Sequence, residues 1–531
     1  MDKKTLAVAT AFGRSFQAAQ GSALRAAAPS VASMGLLRFE VQATDLLSDD
    51  RLARSFIAGP DDSPFFGRTI RNGSSLVVER REDLSGCFTL PWPIAGQGDW
   101  LLATSTLMER ERPYQLEVEL ARGVVFRLRD QLGAWEQLGL DTPAALRDSV
   151  AEATRRFTRA ATRQADPPEA ARHAAEAIEA AAQAACELSS VYAEQALAFR
   201  RTASEKLGTL MGVRLNGTPP TGPQAHRLSD ICNVVGVPAG WGVIEPSEGK
   251  RDWSHVDGPI DWARSRGLRV CGGPLLEFDD RRLPNWAYLW EGDIDTLASL
   301  MIGHVRATVQ RYRGKVQLWN VASRVNRTSI LSLSDEERLS IVAGAVKAVR
   351  QLDPQTPVVV GIDQPWGEYR GRVDSELAPI DFADALERAD LGIAGFDLEL
   401  NIGYYPLATS LRNPLAFSRL IDMWNVRLES PLMLTVTLPS SAEADPHADP
   451  QPQVVAGGVG GSDGVSPAWQ AAWARERLPM LLAKNAVQVI MWGQFTDAAP
   501  HSFPHGGLYN AAGVEKPVVN ELHKLRADLL V

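Results

Sequence analysis

Over residues 206–531 the chain alternates eight apolar, strand-like runs with amphipathic stretches. The runs are LMGVRL (210–215), ICNVVGV (231–237), LRVCGGPLL (268–276), VQLWNVA (316–322), PVVVGID (357–363), LGIAGFDLEL (391–400), PLMLTVTL (431–438) and VQVIMWG (487–493). Helical stretches such as IDTLASLMIGHVRATVQRY and DEERLSIVAGAVKAVRQL lie between them. Strand and helix in strict alternation predict a parallel sheet covered by helices. Eight repeats in about 250 residues or more predict a (β/α)8 barrel, with function on the loops after the strands. A doubly wound sheet is the competitor, but no GxGxxG or GxxxxGK[ST] follows any strand.

The part before the barrel reads differently. Residues 35–110 carry short alternating runs broken by Gly, Pro, Asp and Asn, with a hairpin signal at Asn72-Gly73, and predict a β-sandwich-like module. Trp92 and Trp100 are either core residues or a sugar-stacking face. Residues 111–205 turn helical, rich in Ala, Leu, Glu and Arg. Asp141-Thr142-Pro143 and Asp166-Pro167-Pro168-Glu169 punctuate a long helical hairpin. Residues 1–34 are expected to be a disordered extension, since Arg14 and Gln17 interrupt the only semi-apolar stretch and leave a weak secretory signal. A cytoplasmic location is favoured over secretion, and Met34 is an alternative start.

Composition closes several doors. A net charge of −9, with both signs interspersed, supplies no basic stripe for nucleic acid. No apolar run approaches the roughly 20 residues of a membrane span. Four isolated cysteines, Cys87, Cys186, Cys232 and Cys271, form no CxxC pair and read as free thiols. His501 and His505 share a Pro/Gly loop without the helix that aligns two imidazoles, so no metal and no cofactor are expected.

Several segments, in order along the chain, resemble glycoside hydrolase family 10, the xylanases. They are IEPSEGKRDWSHVDGPIDWARSRGLRV, GGPLLEFDDRRLPNW with its Leu283, Pro284 and Trp286, HVRATVQRYRGKVQLWNV, LDPQTPVVV, and VIMWGQFTD with GGLYNAAGVEKPVV. The resemblance implies a glycosidase acting on or binding a β-linked, xylan-like polysaccharide. It also implies a retaining mechanism with one glutamate after the fourth strand and another at the end of the seventh, about 5 Å apart. Here Arg324 stands in the first place and Val436 in the second. No Asp or Glu occurs between Asp295 and Asp335, or between Glu429 and Glu443, so no register slip restores either carboxylate. Arginine does not donate protons near neutrality and valine has no nucleophilic atom. Gly273 and Phe278 stand where the family has histidines, and the second-strand sugar clamp is shortened to VPAGWG.

The remaining carboxylates at strand ends, Glu277, Asp363, Glu368 and Glu399, with Asp397 beside them, are the candidates for a relocated catalytic pair. The competing expectation is that they form structural ion pairs with Arg324, Arg327 or Arg281. Trp286, Arg324, Asn326, Trp492 and Asp497 are the candidate sugar contacts, with Trp366, Tyr404 and Tyr405 nearby, and Trp492 matches the family's eighth-strand tryptophan. Residues 443–467, rich in Gly, Pro and Asp, predict a lid or a disordered insertion. The alternative to a glycosidase is an inactive carbohydrate-binding or assembly barrel.

Overall fold

The computed structural model describes residues 35–59, 62–81, 84–327, 330–373, 377–455 and 464–531. The expected 1–34 extension and the alternative start at Met34 lie outside the described residues.

Eight short strands open the chain: β1 (Gly35–Glu40), β2 (Phe56–Ala58), β3 (Pro64–Phe65), β4 (Gly67–Asn72), β5 (Ser75–Arg80), β6 (Cys87–Ile94), β7 (Gly98–Ala103) and β8 (Tyr114–Gln115). They form two four-stranded sheets, β4-β5-β1-β8 and β3-β2-β6-β7. The alternation of GLLRFE buries Leu37 and Phe39 on one face, and the Phe39 ring meets Phe88 of the other sheet at 5.2 Å. Asn72 and Gly73 make the β4–β5 turn, where φ of +61° at Gly73 needs a residue without a Cβ. Trp92 and Trp100 are cross-strand partners, only 4% and 1% exposed. They are core residues, and neither offers a face to a sugar. Strand β8 pairs with β1, so the sheet extends past residue 110.

Three helices follow, one more than a hairpin: α1 (Leu116–Gln137), α2 (Ala144–Thr162) and α3 (Pro167–Ala203). Asp166 caps α3 through the Glu169 N–H with proline in the first turn. Gly123 lets α1 lie against β7, since a Cβ there would sit 2.0 Å from the Ala103 carbonyl oxygen. Trp135 of α1 stacks on Tyr192 of α3 at 4.0 Å. Lys484, from the C-terminal part, places its ammonium over both rings.

The remaining strands are β9 (Leu210–Arg214), β10 (Val234–Val237), β11 (Arg269–Gly272), β12 (Leu276–Glu277), β13 (Leu318–Ser323), β14 (Val358–Asp363), β15 (Gly395–Asn401), β16 (Tyr404–Tyr405), β17 (Leu432–Thr437), β18 (Gln453–Val454) and β19 (Val487–Trp492). Strands β9, β10, β11, β13, β14, β15, β17 and β19 pair in parallel. The β11–β13 and β19–β9 pairings close the ring into an eight-stranded barrel. All eight match the expected runs. Around them lie α4 (Gly222–Ile231), α5 (Ser254–Ser265), α6 (Ile294–Tyr312), α7 (Asp335–Leu352), α8 (Pro379–Arg388), α9 (Pro414–Leu428), α10 (Pro467–Leu482) and α11 (Val518–Leu529). Val234, Cys271, Leu318, Val359, Met433 and Val489 pack together among the strands. Cys271 is thus a small buried hydrophobe, and all four cysteines are free.

The β module sits against the loops after β14 and β15. Leu101 N–H donates to the Leu411 carbonyl at 2.8 Å. A Cβ on Gly371 would meet Phe56 at 2.5 Å.

Candidate functional site

The carboxyl ends of β13, β14 and β15 bring charged side chains together around Arg324. This residue follows directly on β13, is 5% exposed, and adopts a left-handed φ of +56°. That conformation costs a non-glycine residue some energy, and surrounding contacts must hold it. Its guanidinium lies 2.5 Å from Asp279, 3.5 Å from Glu277 and 3.5 Å from Glu399. Arg327 adds a second bond to Asp279 at 2.7 Å and approaches Asp363 at 3.8 Å. Four carboxylates therefore share two guanidiniums, and the expectation of structural ion pairs describes Glu277, Asp363 and Glu399. Arg281 instead approaches Asp449 at 3.8 Å.

Local backbone packing explains why the chain departs from the family pattern here. At Gly273, where the resemblance expects a histidine, φ is +113° and a Cβ would lie 2.1 Å from the Asn320 carbonyl oxygen. Only glycine passes that close to β13. The chain then enters β12, pairs Glu277 with Ser323, and so delivers Glu277 and Asp279 to Arg324.

The other candidates are dispersed. Glu368 sits apart, accepting from Arg412 at 2.7 Å and from the Ser410 hydroxyl at 2.9 Å. Asn326 exchanges hydrogen bonds with the Asp363 backbone and pins β14 to the β13 end. Trp492 is buried and donates to the Gly506 carbonyl at 2.8 Å. Trp286 donates to the Glu245 carbonyl at 2.9 Å and meets Trp241 edge-on. Asp497 forms an ion pair with Lys516 at 2.6 Å and accepts hydrogen bonds from Gln494 at 2.9 Å and the Gly507 N–H at 2.7 Å. Tyr404 is buried with its hydroxyl on the Pro504 carbonyl, and the Tyr405 hydroxyl reaches Ala53.

The segment after β17 is tied down where it is described. Asp445 accepts from His501 Nε2 at 3.0 Å and from the His505 N–H at 2.9 Å, and β18 pairs with β16. The two histidines therefore bind this loop over the mouth. Among the described residues no cluster of His, Cys, Asp and Glu could hold a metal ion. Residues 456–463, the Gly-rich part of the expected lid, lie outside the described residues.

What stays open at the mouth is a cleft of about 130 Å³ bounded by Asp280, Arg281, Arg324, Arg327, Gln451 and Phe503. Pockets that bury small ligands run from roughly 300 Å³ upward.

Sequence reasoning missed Asp279, the strongest partner of Arg324, although it stands two residues after Glu277 in the EFDD run. It also missed Asp445 and Lys516. Lys516 was visible as the lysine of VEKPVV, but its partner was not.

Electrostatics divide the acids. Burial pushes the Asp279 pKa up, but Arg324 and Arg327 outweigh it and hold the group far below the usual aspartate range. Asp397 is fully buried, held by Thr435 at 2.8 Å, Asn320 at 3.0 Å and Arg214 at 3.4 Å. Burial pushes it up to about 7 against the pull of Arg214, and Glu399 adds to the rise. Burial likewise pushes Asp363 up to about 6, with Arg327 and Arg324 opposing. Asp363 Oδ1 and Glu399 Oε1 are buried with no hydrogen-bond partner among the described residues.

Raised acids make the folded state bind more protons than the unfolded chain between their unfolded and folded pKa values. Stability therefore falls as pH rises through that window, from about 4 to about 7. The depressed Asp279 works oppositely: its contribution is present above about 4 and is lost as pH falls below it. Urea unfolding is thus expected to give lower stability at about pH 8 than at about pH 5. Asp397→Asn is expected to flatten that decline, because the amide can keep the Asn320 and Arg214 bonds without ionising. An unchanged pH slope in the variant would remove Asp397 as its source.

The fold and its mouth define a (β/α)8 barrel with charged side chains at the carboxyl ends of its strands. The model of the glycosyl hydrolase family 10 matches residues 222–335. An endo-1,4-beta-xylanase of Agaricus bisporus is 27% identical over 146 residues, covering 26% of this chain and 43% of that protein. A beta-1,4-xylanase of Dictyoglomus thermophilum is 30% identical over 83 residues, covering 16% of this chain and 22% of that protein. The matched segments thus span less than half of these relatives. Xylanase 10B of Thermotoga maritima superposes with a TM-score of 0.46 at 16% identity, over 61% of this chain and 97% of that one. Within the eight-stranded barrel, residues 222–335 are thus similar to glycosyl hydrolase family 10.

Proposed function

We propose that this chain is a carbohydrate-binding protein of xylanase descent, which takes a β-linked, xylan-like saccharide without cleaving it by double displacement. The observation that carries this reading is Arg324 in the acid/base place, with Glu277, Asp279 and Glu399 all on its guanidinium. The place of the nucleophile is Val436, with no exposed surface. A retaining hydrolase needs two carboxylates facing a cleft that admits a sugar. Here the carboxylate oxygens face a guanidinium and the cleft is small. The ligand class comes from the relatives, which are endo-1,4-beta-xylanases. Trp286, Asn326, Trp492 and Asp497 serve as scaffold in this reading, since each has polar groups already engaged within the chain.

One observation favours a second reading, a relocated pair. Glu277 and Glu399 approach the same guanidinium from different strands, at 3.5 Å each. A reducing-end assay on xylan and xylo-oligosaccharides separates the two. The proposal expects release at the buffer rate for the wild type and for Glu399→Gln. Release by the wild type that disappears in Glu399→Gln would overturn the proposal in favour of the relocated pair.

A further inference from the structure

A second cavity lies away from the mouth. It has a volume of about 590 Å³ and sits where β2, β6 and β7 of the β module, α1, α3 and the α8–α9 side of the barrel meet. That is within the roughly 300–1,000 Å³ typical of ligand pockets. Its apolar wall includes Phe56, Leu101, Leu128, Trp366, Leu415 and Leu420. Two polar side chains line it while being more than nine-tenths buried: Thr89 of β6, 4% exposed, and Gln131 of α1, 8% exposed. Neither side chain hydrogen-bonds to another described residue, and neither is among the polar atoms sealed off from solvent, so both are open to the cavity. Both groups can donate and accept.

The charged groups around the cavity do not ask for an ion, because they neutralise one another. Arg127 and Arg419 share Asp62 at 3.4 Å each, Arg412 rests on Glu368, and Arg427 lies between Asp381 and Asp384. Arg412 also covers the Trp366 ring at 4.6 Å. What remains on offer is an apolar wall with neutral groups that donate and accept. That combination suits a molecule with C–H faces and many hydroxyls.

We infer that this cavity binds a short neutral oligosaccharide, with Gln131 and Thr89 bonding its hydroxyls and the Phe56 and Trp366 side packing its C–H faces. The inference rests on the carbohydrate reading for its ligand class and on the cavity for its place. It would put binding at the contact between the β module, the helices and the barrel, where three parts of the chain close on one ligand.

The test is calorimetric titration of the full-length protein with xylotriose, xylohexaose and cellotriose. The variants are Gln131→Leu with Thr89→Val, Ala182→Leu, which fills the cavity from α3, and Arg281→Ala at the mouth. Thermal unfolding checks that each is folded, and a cavity variant that fails to fold leaves the other to decide. At least a tenfold loss of affinity in the cavity variants, with Arg281→Ala unchanged, is the expected result. Equal affinity in the cavity variants, or a loss confined to Arg281→Ala, would overturn the site while leaving the ligand class standing. No heat with any of the saccharides would overturn both the cavity proposal and the carbohydrate reading, while the absence of hydrolysis would stand as a separate result.

Discussion

Replacing Arg324 with methionine is expected to destabilise the barrel by about 3–5 kcal/mol, the typical cost of removing one partner from a buried ion pair. The side chain has 7% of its surface exposed, and it faces carboxylates on three sides. Methionine has a similar length, so the loss is one of charge more than of volume. Glu277, Asp279 and Glu399 would then repel one another, with Arg327 and Arg282 offsetting Asp279 alone of the three. The more telling variant is Arg324→Glu, which restores the residue expected of a working family 10 acid/base. It adds another carboxylate to the mouth, and it is expected to lower soluble yield and thermal midpoint further, with no xylanase activity. Denaturant unfolding with the barrel's tryptophans as reporters, together with a reducing-end assay, checks both. A stable Arg324→Glu variant that hydrolyses xylan would show that the mouth is an enzyme one substitution away from activity.

Loss of Lys516 is expected to be comparably damaging. Its ammonium lies 2.6 Å from Asp497, and the two side chains are 4% and 1% exposed. It also donates to the His505 carbonyl at 2.9 Å, on the loop that Asp445 holds over the mouth. Lys516→Met leaves Asp497 buried without its cation, at a cost of about 3–5 kcal/mol. Asp497→Asn in the same background is expected to recover most of that loss, because the amide keeps a hydrogen-bonding shape without a charge. A double-mutant cycle measures the coupling. Additive losses from the two substitutions would mean that the pair does not act as a unit. The lysine of VEKPVV is a buried counter-ion that fastens the last barrel loop.

Much of the architecture was legible because period and punctuation are local properties. The eight strand runs, the change to helical period near residue 113, and the Asn72-Gly73 and Asp166-Pro167 signals each depend on neighbours in the chain. Trp92 and Trp100 were harder, because an aromatic on a strand reads alike on either face. Only the second sheet behind β6 and β7 decides that they are core. The third helix was missed for a related reason, since α1 presents nearly all-round burial between β7 and α3 and lacks the clean stripe of a surface helix.

The sequence by itself determined that the fourth and seventh strands carry no carboxylate, because that is a matter of which residues exist over a long enough window. It also pointed to the barrel, through an eightfold strand and helix rhythm with no GxGxxG or GxxxxGK[ST] after any strand to favour a doubly wound sheet. Tertiary structure alone decided what the surviving acids do. Glu277, Asp279 and Glu399 are far apart in the chain and come from different strands, so their meeting on Arg324 depends on barrel closure and on the tight passage at Gly273. The same holds for the cavity under Gln131 and Thr89. Ion pairing and enclosure are set by distances across the fold, which fall off over a few ångströms and leave no mark on the order of residues.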